Sequence, residues 1–232
     1  MTRVAILRCG KLPSFVNWQV PNLDELFEED NLLLHRFKAQ GFQARPIVWN
    51  RPNIDWNQFD IALIRSTWDY LDEQERFLHV LSQIEASSCR LFNPLAAVRW
   101  NIDKRYLFDL EKWGCQSLQL IWRRMWSFSY FNRQLGHVLL KKPAPNDYRV
   151  QGIYGGTVQS VEPLSHDLLQ AEAVIAKLPF DILYARLDFV RVGSHLSVIE
   201  IELIEPIFCF NLVPESVVRL VNAIRVKFEM HP

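Results

Sequence analysis

The chain reads as an α/β protein (α+β overall), with a parallel α/β layer in its first half and a largely antiparallel sheet in its second. Three observations predict this. Short apolar runs alternate with helical periodicity up to about residue 95, paired runs joined by tight polar turns dominate after residue 120, and one of those pairs carries a cluster of carboxylates. The 232 residues are 49% apolar and 22% charged, which suits a folded globular chain large enough to bury a core.

In order, Val4 to Cys9 reads as a first strand, and Asp24 to Gln40 as a helix with Leu26, Phe27, Leu33 and Phe37 at helical spacing, closed by Gly41. Gln43 to Trp49 and Asp60 to Arg65 read as strands, Leu71 to Ala86 as a helix, and Arg90 to Asn93 as a short strand. The β-α-β-β-α-β order predicts a parallel sheet, whose functional edge gathers at the carboxyl ends of the strands. Those ends carry Arg65-Ser-Thr-Trp-Asp-Tyr70 and Asn93-Pro94.

Asn101 to Trp113 reads as a helix ended by Gly114, with Lys104 in its first turns. Trp126 to Phe131 and His137 to Lys141 read as strands around Asn132-Arg133, and Val150 to Val158 contains the turn Gly155-Gly156. Ser165 to Lys177 and Pro214 to Phe228 read as helices. Between them, Tyr184-Ala-Arg-Leu-Asp-Phe-Val and Leu196-Ser-Val-Ile-Glu-Ile-Glu read as a hairpin turning at Gly193-Ser194.

Alternation puts Arg186, Asp188, Glu200 and Glu202 on one face of that hairpin and Ala185, Leu187, Ile199, Ile201 and Leu203 on the other. Three carboxylates on one patch repel, so they need a cation, strong hydrogen bonds or open water. A hard divalent ion such as magnesium answers that need; a solvated edge with an Arg186 salt bridge answers it too. Upstream, Lys141 and Arg149 bracket the stiff Pro143-Ala-Pro145 loop, and Gly155-Gly156 follows. Arginine binds phosphate or carboxylate bidentately, and glycines let backbone N–H groups approach an anion. Lysine, arginine and glycine elements ahead of a carboxylate hairpin suit a metal-nucleotide site.

Composition narrows the partners. Twenty-six basic residues balance 26 acidic ones, so no net field draws the chain to nucleic acid or to an anionic membrane. Cys9, Cys89, Cys115 and Cys209 are scattered, without zinc-ligand spacing, which fits reduced thiols in a cytoplasm. The N-terminal apolar run is too short for a signal peptide and no window is long enough to span a bilayer, so the expected location is cytoplasmic.

Several segments together resemble the ATP-grasp superfamily, in the bacterial branch of the cycloserine-biosynthesis cyclo-ligase and of glutathione synthetase-like enzymes. They are Ile64 to Tyr70, Phe92-Asn-Pro94, Arg99 to Leu110, His137 to Lys141, Asp147 to Gln151, Gly155-Gly156, Tyr184 to Asp188 and Glu200 to Pro206, in the family's order. The resemblance implies a pre-ATP-grasp, Rossmann-like substrate domain over residues 1–95 and a shortened ATP-grasp domain over 96–232. It also implies a ligase that uses ATP and Mg2+ (or Mn2+) to turn a small-molecule carboxylate into an acyl phosphate, which an amine then attacks. It carries metal ligation onto Asp188, Glu200 and Glu202 (the last often an asparagine in relatives) and gives Glu205 a weaker claim. Nucleotide contacts fall on Lys104, Gly155 and Gly156, and catalytic contacts on Lys141 and Arg149. Arg65 and Asp69 stand where substrate would meet the first domain.

The chain departs from the family pattern at one place. Only Gly114 to Met125 spans a gap that in relatives holds a second ATP lysine, a glycine-rich lid and an adenine-gripping strand. The resemblance is therefore compatible with an active ligase or with a non-catalytic metal- or ligand-binding relative. A metal-dependent hydrolase built on the acidic hairpin ranks last, because Glu202 stands where such hairpins usually carry a lysine. Leu118, Leu120, Ile121 and Trp122 would be apolar surface that a homodimer could cover.

Overall fold

The structure is a computed structural model that describes residues 1–14, 16, 26–116, 124–143 and 156–229. The chain divides into two compact units. Unit 1 comprises Met1–Arg99 with Phe180–Ile182 and Ile204–Asn211. Unit 2 comprises Trp100–Pro179, Leu183–Leu203 and Leu212–Pro232. Among the described residues no helix is long and apolar enough to cross a membrane.

Unit 1 holds β1 (Arg3–Arg8), α1 (Glu28–Ala39), β2 (Gln43–Val48), β3 (Ile61–Ile64), α2 (Gln74–Glu85), β4 (Arg90–Phe92) and most of α3 (Leu95–Asn101). The four strands form one parallel sheet in the order β2-β1-β3-β4, as their apolar runs predict. Val4, Ala5, Ile6, Leu7 and all of β3 are buried because both sheet faces are covered, which is why neither strand alternates in polarity. The strand order reverses between β1 and β3, the crevice position where such sheets bind ligands.

At the edge strand β2, the Gln43 and Trp49 N–H groups donate to the Thr2 and Arg8 carbonyls, which turns residues 44, 46 and 48 outward. Pro46 is one of these, so the free edge lacks a donor at its middle and resists pairing with another chain. The second helix starts later than its apolar pattern suggests. Trp68–Asp72 form a 3-10 turn, and Glu73, at φ −137° and ψ 45°, breaks the helical path before Gln74.

Unit 2 contains α4 (Tyr106–Lys112), β5 (Met125–Phe131), β6 (Gln134–Lys142), β7 (Thr157–Ser160), α5 (Ser165–Ile175), β8 (Tyr184–Val192), β9 (His195–Glu202) and α6 (Glu215–Glu229). Its five strands form an antiparallel sheet in the order β7-β6-β5-β8-β9. Asn132 and Arg133 both take positive φ, 47° and 63°, so the β5–β6 connection is the tight two-residue turn their position suggests. Gly193 at φ +61° closes β8 onto β9.

The helix expected over Asn101 to Trp113 starts only at Tyr106, after a separate helix that ends at Asn101. Residues 102–105 turn between them, because the Asp103 carboxylate takes the Arg105 N–H (2.9 Å) while Asn101 is tied elsewhere. Lys104 therefore sits in that turn and not in the first turns of a long helix. The expected dimer surface from Leu118 to Trp122 lies outside the described residues.

Candidate metal centre

The acidic hairpin forms as its alternation predicts. Arg186 stands opposite Glu202 and Asp188 opposite Glu200 across β8 and β9, so all four side chains leave the same face. A bulge follows immediately, where Phe189 pairs with Val198 and Ile199 is left over. Asp188, Glu200 and Glu202 each offer an oxygen, and these atoms lie within 4.8 Å of one another. Three hard oxygen donors at that separation fit a magnesium- or calcium-class ion better than a thiophilic one.

The three carboxylates already face cations of their own chain. Arg186 donates from Nε to Asp188 at 3.1 Å and from its terminal nitrogen to Asp188 at 2.9 Å and to Glu202 at 2.5 Å. Lys104 Nζ lies 3.1 Å from Glu200 Oε1. Asp188 is 1% exposed, and burial alone would push its pKa up; Arg186 and then Lys141 overcome that and hold it below the usual carboxylate range. Glu202 goes the other way. Its side chain keeps 30% exposure, yet the surrounding protein, reinforced by the charges of Glu200 and Asp188, pushes its pKa up to about 7 against the pull of Arg186 and Lys141. Burial lowers the Arg186 pKa, but the carboxylates more than reverse this and raise it, so the guanidinium stays charged.

Lys104 reaches Glu200 because its turn is fastened to the edge of the sheet. The Asn101 amide donates to the Ile201 carbonyl (2.7 Å), and its oxygen accepts from the Leu203 N–H (2.8 Å). The Tyr106 hydroxyl accepts from the Ile201 N–H (2.9 Å), and its ring packs on Trp100 with centroids 4.9 Å apart. These contacts satisfy backbone groups on the outer edge of β9 and bracket Lys104 on both sides. Asn101 and Tyr106 are positioning residues that sequence reasoning missed. The only local sign was a polar residue ending an apolar helix, and the partner lies a hundred positions away.

The structure brings five expected site residues of unit 2 together: Asp188, Glu200, Glu202, Lys104 and Lys141. Lys141 is buried on β6, and its charge acts on both Asp188 and Glu202. Gly156 directly precedes β7, whose Thr157 pairs with Lys142. Arg149 and Gly155 lie outside the described residues.

In unit 1, Arg65 and Asp69 sit at the carboxyl end of β3 and both serve the fold. Arg65 is 3% exposed; it donates to Glu29 (2.9 Å) and to the Pro206 carbonyl (3.1 Å), and lies over the Phe208 ring. Glu29 also accepts the Phe208 and Phe210 N–H groups, which binds residues 204–211 to α1. Asp69 is fully buried, accepting from the Trp49 indole N–H and, at 3.2 Å, from the Gly10 N–H. Its carboxylate thus anchors the loop. Beside Arg65 a cavity of about 290 Å³ is lined by Glu28, Glu29, Ser66, Trp68 and Glu205 among others.

The similarities to known proteins follow this division. Residues 4–93 match the family model of the D-cycloserine synthetase DcsG N-terminal domain. The cycloserine biosynthesis protein DcsG of Streptomyces lavendulae is 34% identical over 82 residues, which is 35% of this chain but only 27% of that relative. A crystal structure of D-cycloserine synthetase DcsG superposes with a TM-score of 0.78 at 17% identity, covering 97% of this chain and 99% of that one. A D-alanine–D-alanine ligase of Bacillus anthracis, complexed with ATP, superposes at 0.66 and 10% identity, covering 99% and 100%. Residues 4–93 thus resemble the N-terminal domain of D-cycloserine synthetase DcsG, and the chain has the fold of the DcsG and D-alanine–D-alanine ligase crystal structures.

Proposed function

We propose that the chain is an ATP- and magnesium-dependent carboxylate–amine ligase. One observation carries the reading: the oxygens of Asp188, Glu200 and Glu202 converge within 4.8 Å, with three cationic side chains, Arg186, Lys104 and Lys141, acting on them. A divalent ion held by those carboxylates would neutralise charge developing on a transferred phosphoryl group. The rest falls to side chains of this protein. Arg186 and Lys141 present fixed positive charge to the phosphoryl oxygens, and Lys104, on a long flexible stem, holds a phosphate as a point charge. The substrate carboxylate oxygen attacks the γ-phosphorus and ADP leaves; an amine then attacks the acyl carbon, the bond from that carbon to the phosphate oxygen breaks, and inorganic phosphate leaves as the amide forms and the amine gives up a proton. Arg149 is proposed to orient the carboxylate or the phosphate, and the cavity beside Arg65 to receive substrate.

A second reading, a non-catalytic nucleotide-binding relative, rests on length. Eighty-two residues are 27% of the curated DcsG relative, which makes that protein about 300 residues long against 232 here. The superposition nevertheless spans 99% of the DcsG crystal chain. Two measurements separate the readings. Mg·ATP at millimolar concentration raises the melting temperature under both, by mass action, and Asp188→Asn with Glu200→Gln removes the rise. Hydroxylamine then traps an acyl phosphate as a hydroxamate with release of phosphate only if the ligase is active. No thermal shift rejects both readings; a shift without hydroxamate, across a panel of amino and hydroxy acids, rejects the ligase.

A further inference from the structure

We propose that Lys104 and Arg186 keep a bare divalent ion off the carboxylate triad, so that unit 2 admits the ion only as its complex with a polyphosphate. The inference rests on the metal reading above and adds a rule for what the site accepts. Every carboxylate of the triad already has a cation of its own chain: Arg186 bridges Asp188 and Glu202, and Lys104 pairs with Glu200. The ion-free triad is thus already paired with cations of its own chain, a balance that needs no metal.

A dication entering alone breaks that balance. It displaces Lys104 from Glu200 and crowds the Arg186 guanidinium, which is only 7% exposed and held by Asp188 and Glu202. Like charges a few ångströms apart in a partly buried site cost far more than in water. A polyphosphate changes both sides of this comparison. Its negative charge restores neutrality, and its oxygens receive the displaced groups, the guanidinium bidentately and the ammonium as a point charge. Lys104 can make the move, since its side chain is 73% exposed and held only at its tip.

Calorimetric titration with MnCl2 alone and with preformed Mn2+–tripolyphosphate tests the rule without any turnover. The wild-type protein is expected to bind the complex at least tenfold more tightly than MnCl2. Lys104→Met, at an exposed position that leaves the core untouched, is expected to gain at least tenfold in affinity for MnCl2 while losing affinity for the complex. Equal wild-type affinity for both titrants, abolished by Asp188→Asn with Glu200→Gln, would overturn the rule while leaving the metal site standing. An unchanged MnCl2 affinity in Lys104→Met would overturn it as well. If the wild-type protein binds neither titrant, the metal reading fails and the rule falls with it.

Discussion

The two units bury carboxylates in opposite ways. In unit 1, Asp69 is closed off with neutral donors, the Trp49 indole and the Gly10 N–H, fixed by the fold. In unit 2, Asp188 and Glu202 face the charged side chain Arg186, and Glu200 faces the exposed and movable Lys104. Fixed N–H donors make an acid part of the scaffold. A cation on a flexible stem leaves the acid open to exchange, because another cation can take its place. Asp30 in unit 1 is a third case: it is fully buried, with the Arg65 Nε 3.8 Å away, and burial pushes its pKa up to about 6.

Substitutions sharpen the contrast. Arg186→Met leaves two crowded carboxylates without their shared counter-charge, and chemical denaturation should show a loss of about 3–5 kcal/mol. Added Mn2+ with a nucleotide analogue should recover part of that loss, which it cannot do if the triad is ordinary structure. Asp69→Ala strands the buried Trp49 N–H and should cost about 2–3 kcal/mol, with no recovery by metal or nucleotide. If both variants respond to ligand alike, the division between scaffold acid and exchangeable acid is wrong.

Asp30 supplies a pH test. Its unfolded pKa is about 3.9, so between roughly pH 4 and pH 6 the folded state holds the extra proton. Its contribution to stability is complete below that window and declines as pH rises through it, by at most about 1.4 kcal/mol per pH unit. Glu202, pushed up to about 7, adds a slope of the same sign, so the useful quantity is the difference between wild type and Asp30→Asn. The variant should flatten the pH 4–6 slope; an unchanged slope would show that Asp30 does not hold its proton. The smallest expected effect is that of Lys104→Met on stability itself, within about 0.5 kcal/mol, because an exposed ion pair contributes little.

How much of this was legible in the sequence follows from what each feature depends on. The parallel layer and the hairpin were readable because apolar period and turn residues are local, but the bulge at Ile199, which brings Arg186 opposite Glu202 and Asp188 opposite Glu200, was not. The break at residues 102–105 was not, since it comes from Asn101 reaching a strand edge a hundred positions away. The Trp49–Asp69 hydrogen bond was not legible either, since its partners are twenty residues apart and lie in different elements. Arg186 could be put on the right face by alternation, but its hold on Glu202 needed the cross-strand register.

The most direct test is a crystal soaked with Mn2+ and a non-hydrolysable ATP analogue, measured at the manganese absorption edge. The account predicts an anomalous peak among the Asp188, Glu200 and Glu202 oxygens, with Lys104 moved from Glu200 onto a phosphate. A nucleotide or manganese bound elsewhere, with Lys104 still on Glu200 and Arg186 still bridging its two carboxylates, would contradict it.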